Sequence, residues 1–246
     1  MRVEWSPEEL IEADRVAGLG LLTAYITHDM INPLSAILNL AMVVRQLMTV
    51  ERIGTDPGIE TRKHLGDIIQ EASRLARMVS ELRNSSSLPG ETEDTVDLNH
   101  VVESALLLCS PRLKLERISL TTSLAGGLPW LRCNRARIQQ AVRNMLLSAG
   151  AAVEGRQNPR VTVTTGSLGD TDGVFVEVRD NGEPPPPESV STLLVPMAAL
   201  RTCGLALPAA RAIAEAQGGG IEIAAAGEET SLRLLLPLYR NAGHTR

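Results

Sequence analysis

The chain has 246 residues, 43% of them hydrophobic, 22% charged and 2% aromatic, with a net charge of −5. That apolar content supports a packed core and excludes a disordered chain. The acidic balance and the five aromatic residues (Trp5, Tyr25, Trp130, Phe175 and Tyr239) exclude a basic, base-stacking nucleic-acid binder and give no footprint for an anionic membrane. Cys109, Cys133 and Cys203 are widely spaced with no C-x-x-C pair, so neither a disulfide framework nor a structural zinc site is expected. A reducing compartment is the simplest setting.

Residues 7–50 read as one long helix, with Leu19, Leu22, Ile26, Met30, Pro33, Ile37, Leu40, Val44 and Leu47 forming a heptad-like seam interrupted by one proline. The run IGTDPG at 53–58 is a turn. A second helix over about 59–84 carries Leu65, Ile68, Ala72, Leu75, Val79 and Leu82 at the same spacing. Two helices joined this way form a hairpin, and dimerisation into a four-helix bundle is the expected completion, since one hairpin buries little. The polar, acidic stretch 85–96 reads as a linker. Beyond it the pattern predicts a helix at 97–110, a strand near 117–123 and a helix at 134–153. Paired strands follow at 160–168 and 173–180, then a proline-rich loop at 181–202. A helix at 204–217 ends at Gly218-Gly219-Gly220, and a closing hairpin follows. Helices gathered on one face of a sheet make this half a sandwich of the α+β kind.

No segment is apolar enough for a convincing transmembrane helix, because the best candidate carries His28, Asp29, Asn32, Pro33 and Arg45. The N-terminus has acids where a signal peptide needs an apolar run. A cytoplasmic protein with no direct membrane insertion is the expectation.

His28 is the first chemical candidate. It falls between seam residues Ile26 and Met30, so at about 100° per residue it is expected to point away from the seam. Asp29 follows it, and Asn32-Pro33-Leu34 completes H-D-x-x-N-P-L. A neutral imidazole nitrogen is a nucleophile toward phosphorus, and an adjacent carboxylate can take its proton. Asn32, at i+4, shares the face of His28, and Pro33 removes a backbone donor beside it. His64, His100 and His244 have no comparable context.

H-D-x-x-N-P-L on the first helix of a hairpin resembles the H-box of the sensor histidine kinases. The resemblance implies His28 as phosphoacceptor, Asp29 as general base and Asn32 as the phosphatase-type residue. It extends over most of the chain. The second half resembles the family's ATP-binding domain, which shares its α/β-sandwich fold with the gyrase and Hsp90 ATPases. The implied architecture is a dimeric helical hairpin at 1–84, a linker at 85–96 and an ATPase-like domain at 97–246. In the family's N-box, roughly Q-x-x-x-N-L-x-x-N-A, Gln140 and Asn144 match, while Ser148 replaces the Asn that holds Mg²⁺ in the family. In the D-x-G-x-G box, Asp180 and Gly182 match and Pro184 replaces the second glycine. Of the glycine-rich box, Gly204 alone remains in Thr202-Cys203-Gly204-Leu205-Ala206-Leu207. By resemblance Asn144, Asp180, Gly182 and Gly204 are nucleotide-binding residues of a weakened site, with ATP and Mg²⁺ implied only if autokinase activity persists and no metal ligand assigned.

These departures favour a phosphotransfer protein, similar to the histidine phosphotransferases of alphaproteobacterial relays. In that reading His28 exchanges a phosphoryl group with an aspartate of a response-regulator receiver domain. The alternatives are the catalytic core of an ATP-dependent sensor kinase and a non-catalytic pseudokinase scaffold.

Overall fold

The computed structural model describes residues 5–50, 58–86, 93–169, 173–185, 193–194, 205–227 and 229–238. Helix α1 (Pro7–Val50) runs for 44 residues, about 66 Å at 1.5 Å per residue. It is continuous through the buried Pro33. It packs along α2 (Gly58–Ser86). The spacing of Ile26, Pro33, Ile37, Leu40 and Val44 turns one side of α1 inward, as the sequence predicts. A second apolar row, Ile31, Leu34, Leu38 and Met42, is at least half exposed, as are Ile69 and Val79 on α2.

The rest of the chain forms β1 (Asp94–Val96), α3 (Leu98–Leu115), β2 (Ser119–Leu124), β3 (Leu131–Cys133) and α4 (Arg135–Ala152). These are followed by β4 (Arg160–Ser167), β5 (Gly173–Asp180), α5 (Ala206–Ala216), β6 (Gly220–Ala226) and β7 (Glu229–Pro237). The main sheet has the order β2-β4-β5-β7-β6. Its β2–β4 pair is parallel and the others antiparallel. β1 and β3 make a separate antiparallel ribbon, registered Thr95 opposite Arg132. The sequence reading misses both short strands, and β1 lies within the stretch assigned to the linker. Three residues carry no measurable period.

Alternation decides which sheet face is covered. Val161, Val163, Val174, Val176, Val178, Leu232, Leu234 and Leu236 are buried and meet Val102, Ala105, Leu108, Ile138, Met145, Leu146 and Ile213 of the helices. On the opposite face Arg233 lies 4.8 Å from the centre of the Phe175 ring. Side chains close the helix ends. Asp97 accepts from the Asn99 amide at 2.9 Å, and Asn134 from the Arg137 amide at 3.1 Å. α5 stops in a paired turn: Gly218 (φ +73°) donates to the Glu215 carbonyl and Gly219 to that of Ala214. This reciprocal pattern needs a left-handed residue, and a side chain at Gly219 would collide with the Leu235 carbonyl.

The helical hairpin does not stand apart from the sandwich. Ile11, Leu22 and Ile26 of α1 belong to the same apolar cluster as the α3, α4 and α5 residues. The sequence assigns Leu22 and Ile26 to a hairpin seam. In the structure their burial is shared with the second half of the chain. Among the described residues, no helix is long and apolar enough to cross a membrane.

Leu146 is fully buried beneath the sheet, whereas Leu115 on α3 is 66% exposed. Leu146→Ala is expected to lower unfolding free energy by about 3 kcal/mol, and Leu115→Ala by less than about 0.5 kcal/mol, in urea titrations. Equal losses in the two variants would overturn this assignment of the core.

Candidate nucleotide and phosphoacceptor sites

His28 lies in the middle of α1. The Arg74 guanidinium of α2 donates to Asp29 Oδ2 at 3.0 Å, which ties the carboxylate to the hairpin partner. Glu71 lies 3.9 Å from the other side of the same guanidinium. Asn32 is exposed one turn beyond His28, and Pro33 is buried. The residues sequence reasoning groups as an H-box therefore share one stretch of α1, with Asp29 oriented across the hairpin.

The second candidate site is built along α4. Gln140, Asn144, Ser148 and Ala152 follow one another at four-residue steps, so they line one face of the helix. Asn144 is fully buried and Ser148 half-buried. Asn144 is therefore no ordinary surface position. Its Nδ2 donates to Asp14 Oδ2 at 2.6 Å and to the Ala206 carbonyl at 3.0 Å. Gln140 Nε2 donates to the Ile11 carbonyl at 2.7 Å and to Asp14 Oδ2 at 2.9 Å. Arg143 completes the knot, with Nη2 at 3.3 Å from Asp14 Oδ2 and at 3.2 Å from Asn144 Oδ1. Burial pushes the Asp14 carboxyl above its ordinary range, with Arg143, Gln140 and Asn144 pulling against it. Burial likewise pulls Arg143 down, opposed by Asp14. Sequence reasoning does not single out Asp14, although a lone carboxylate on a face shared with Leu10, Ile11, Gly18 and Leu22 is the pattern that marks it.

At the far end of this α4 face, β5 delivers Asp180. The carboxylate is buried, and its Oδ1 accepts from the Gly182 amide at 2.8 Å. Burial, chiefly, with the nearby Glu229 charge, pushes its pKa up from 3.8 to about 6. A Cβ on Gly182 would sit 2.5 Å from the Ala152 carbonyl, so glycine is required where this turn meets the end of α4. Pro184 is half-buried just beyond. Gly204, Thr202 and Cys203 lie outside the described residues. α5 begins at Ala206 with Pro208 in its first turn, where a missing amide is tolerated.

The arrangement fits one end of a nucleotide better than the other. A buried, hydrogen-bonded carboxylate beside a glycine with no room for a side chain suits a flat base bearing an amino donor. Where the resemblance implies a metal, α4 presents the Ser148 hydroxyl, and the Asn144 amide is already engaged. Among the described residues no group of three or more His, Cys, Asp and Glu side chains gathers as a metal site. Cys109 and Cys133 are buried, with burial raising their thiols to about 12 and about 11, which leaves them unreactive.

Residues 19–91 match the His Kinase A (phospho-acceptor) domain, and residues 133–240 match the Histidine kinase-, DNA gyrase B-, and HSP90-like ATPase. Among curated proteins, the chain is 30% identical over 228 residues to the sensor histidine kinase ZraS of Salmonella typhimurium, covering 90% of this chain and 47% of that one. It is 28% identical over 241 residues to the nitrogen regulation protein NtrY of Azorhizobium caulinodans, covering 93% of this chain and 30% of the other. The chain thus spans about half or less of these relatives. Among solved structures, full-length ShkA in complex with AMPPNP aligns over 97% of this chain and 47% of its own, with a TM-score of 0.55 at 19% identity. ThkA in complex with the response regulator protein TrrA aligns over 92% and 64%, with a TM-score of 0.53 at 23% identity. The chain belongs to the two-component sensor histidine kinase family, as a phosphoacceptor helical hairpin followed by the ATPase-type sandwich.

The Asp180 environment has a thermodynamic signature. Its pKa is higher folded than unfolded, so between about pH 4 and 6 the native state binds more protons and stability falls as pH rises. Asp180→Asn keeps an acceptor for the Gly182 amide and removes the charge. It is expected to be more stable than wild type at pH 7 by on the order of 1–3 kcal/mol, and indistinguishable from it below pH 4. Denaturant midpoints across this range check it; parallel pH profiles for the two proteins would count against a buried, titrating Asp180.

Proposed function

We propose that this chain is the catalytic core of a sensor histidine kinase, with His28 as the phosphoryl acceptor. The observation that carries the reading is Asp180, a buried carboxylate fixed by the Gly182 amide at the end of the β5 face that otherwise carries Val174, Val176 and Val178. A carboxyl whose burial raises its pKa destabilises the fold when ionised, which a purely structural domain has no reason to keep. ATP held at this site would supply the phosphoryl group. Asp180 would accept from the base, Gly182 would hold that carboxylate through its amide while the turn packs against the end of α4, and the α4 face with Asn144 and Ser148 would meet the phosphates.

On α1, Asp29 receives the imidazole proton as the other ring nitrogen acts as nucleophile. Arg74 orients that carboxylate. Asn32, exposed one turn on, is placed for the reverse, hydrolytic chemistry. The receiver domain of a response regulator is the acceptor for the His28 phosphoryl group, a partner class supported by the complex of ThkA with TrrA. The exposed row Ile31, Leu34, Leu38 and Met42 supports a homodimeric four-helix bundle.

A phosphotransfer protein that loads His28 only from a receiver aspartate is the second reading. Ser148 at the metal position and Pro184 in the nucleotide loop favour it. Incubation with Mg²⁺ and γ-labelled ATP separates the two. Acid-labile label is expected on wild type and not on His28→Ala. No label on a folded wild-type dimer, with label gained from a phosphorylated receiver, would establish the second reading instead.

The bundle has its own test. Leu38 is 57% exposed in the single chain, so Leu38→Glu should leave the protomer folded and convert the dimer to monomer in sedimentation. A dimer unchanged in this variant would place the interface elsewhere.

A further inference from the structure

The α4 face that the family uses toward nucleotide is spent, in this structure, on α1. Asn144 has two amide protons, and both are engaged, by Asp14 Oδ2 and the Ala206 carbonyl. Both protons of Gln140 are engaged too, by Asp14 Oδ2 and the Ile11 carbonyl. A single carboxylate oxygen thus accepts from three α4 side chains, Gln140, Asn144 and Arg143, at 2.9, 2.6 and 3.3 Å. Through Asn144 the knot reaches the first residue of α5, the helix whose start follows the glycine-rich box. Gly18 lies one turn along α1, where an added Cβ would stand 2.9 Å from Arg143 Nη2. The missing side chain is what lets the guanidinium lie against the helix. Glu8 adds an ion pair to Arg137 at 2.6 Å, and Ile11, Leu22 and Ile26 supply the apolar part of the contact.

We propose that the N-terminal part of α1 is an intramolecular clasp on the ATPase-type domain, closed by Asp14, and that clasp closure and Mg-nucleotide binding exclude each other at Gln140, Arg143 and Asn144. The inference rests on the kinase reading for its ligand and on the geometry alone for the clasp. The Asp14 carboxyl is seated where anionic phosphates would need the same donors. Opening removes the carboxylate from Asn144 and frees the amide, while Arg143, buried only because Asp14 neutralises it, becomes an exposed cation beside the phosphates. A signal that shifts or rotates α1 would thereby act on nucleotide affinity directly.

The test uses the full chain in three variants. Asp14→Ala removes the closing group. Gly18→Leu leaves Asp14 intact and wedges the helix away from Arg143. Gly20→Ala is the control, because a Cβ there meets nothing within 4 Å. Small-angle scattering is expected to show a larger radius of gyration for the first two and no change for the third, with circular dichroism unchanged throughout. Titration with a fluorescent ATP analogue and Mg²⁺ is expected to show at least tenfold tighter binding for the two opened variants than for wild type or Gly20→Ala. An unchanged radius in both Asp14→Ala and Gly18→Leu would overturn the clasp. An enlarged radius with wild-type nucleotide affinity would overturn the exclusion. Expansion with no nucleotide bound by any variant would refute both the exclusion and the kinase reading, leaving the clasp to stand on the scattering.

Discussion

A carboxylate taken out of water has to be met from several sides at once, and Asp14 sets that condition for the whole molecule. Three α4 side chains converge on one of its oxygens. Arg143, itself 2% exposed, is tolerable in the interior only while this acid is present. The pair fixes the rotation of α1, because the carboxylate must face α4, and Gly18 must then come beneath the guanidinium. It also fixes the axial position of α1, since Glu8, Ile11, Leu22 and Ile26 find their partners in the same register. A purely apolar contact would tolerate sliding and repacking, whereas a desolvated charge cluster loses several hydrogen bonds at the first displacement.

The same physics operates at Asp180 with fewer donors. That carboxylate also sits below the surface, yet among the described residues its hydrogen-bond partner is a single backbone amide, with Arg156 acting through space and Glu229 opposing it. Burial raises its pKa as it raises that of Asp14, but Asp14 has three side-chain donors pulling against the shift and Asp180 has one amide. The two acids lie toward opposite ends of one α4 face, which runs for about three turns through Gln140, Asn144, Ser148 and Ala152. One is satisfied from within the chain and the other keeps acceptor capacity. This asymmetry distinguishes a structural acid from one suited to a ligand without appeal to the family.

Much of this was legible in the sequence wherever a period existed. The long helix through Pro33 was readable because its seam continues on both sides of the proline. The strands at Arg160–Ser167 and Gly173–Asp180 were readable because valines alternate with polar residues, and the end of α5 because Gly218 and Gly219 stand where a left-handed turn is needed. β1 and β3 were not, because three residues that pair only with one another leave no periodic trace, and β1 was absorbed into a polar linker. At the candidate site, Gln140, Asn144, Asp180 and Gly182 were found through a family resemblance, and the structure places Asn144 in the interior. Asp14 does not stand out in the sequence, because an aspartate among Glu8, Glu9, Glu12 and Arg15 reads as a solvated face. The signal lay in its company on one stripe with Ile11, Gly18 and Leu22, and its partners stand 126 to 130 positions further along the chain.

That separation has a consequence in time. During synthesis the first turns of α1 emerge long before the α4 residues that neutralise Asp14, and before the start of α5 that completes the knot. At roughly 5–20 residues per second the wait for Asn144 alone is on the order of ten seconds. Throughout it Ile11, Leu22 and Ile26 have no permanent cover. The hairpin with α2 can form early from near neighbours, but the sandwich closes on α1 only when the last helix arrives, so the two halves reach their final state together. A nascent chain in this interval exposes an apolar helix face, the form in which chaperone binding or premature pairing with a second nascent chain is most favoured.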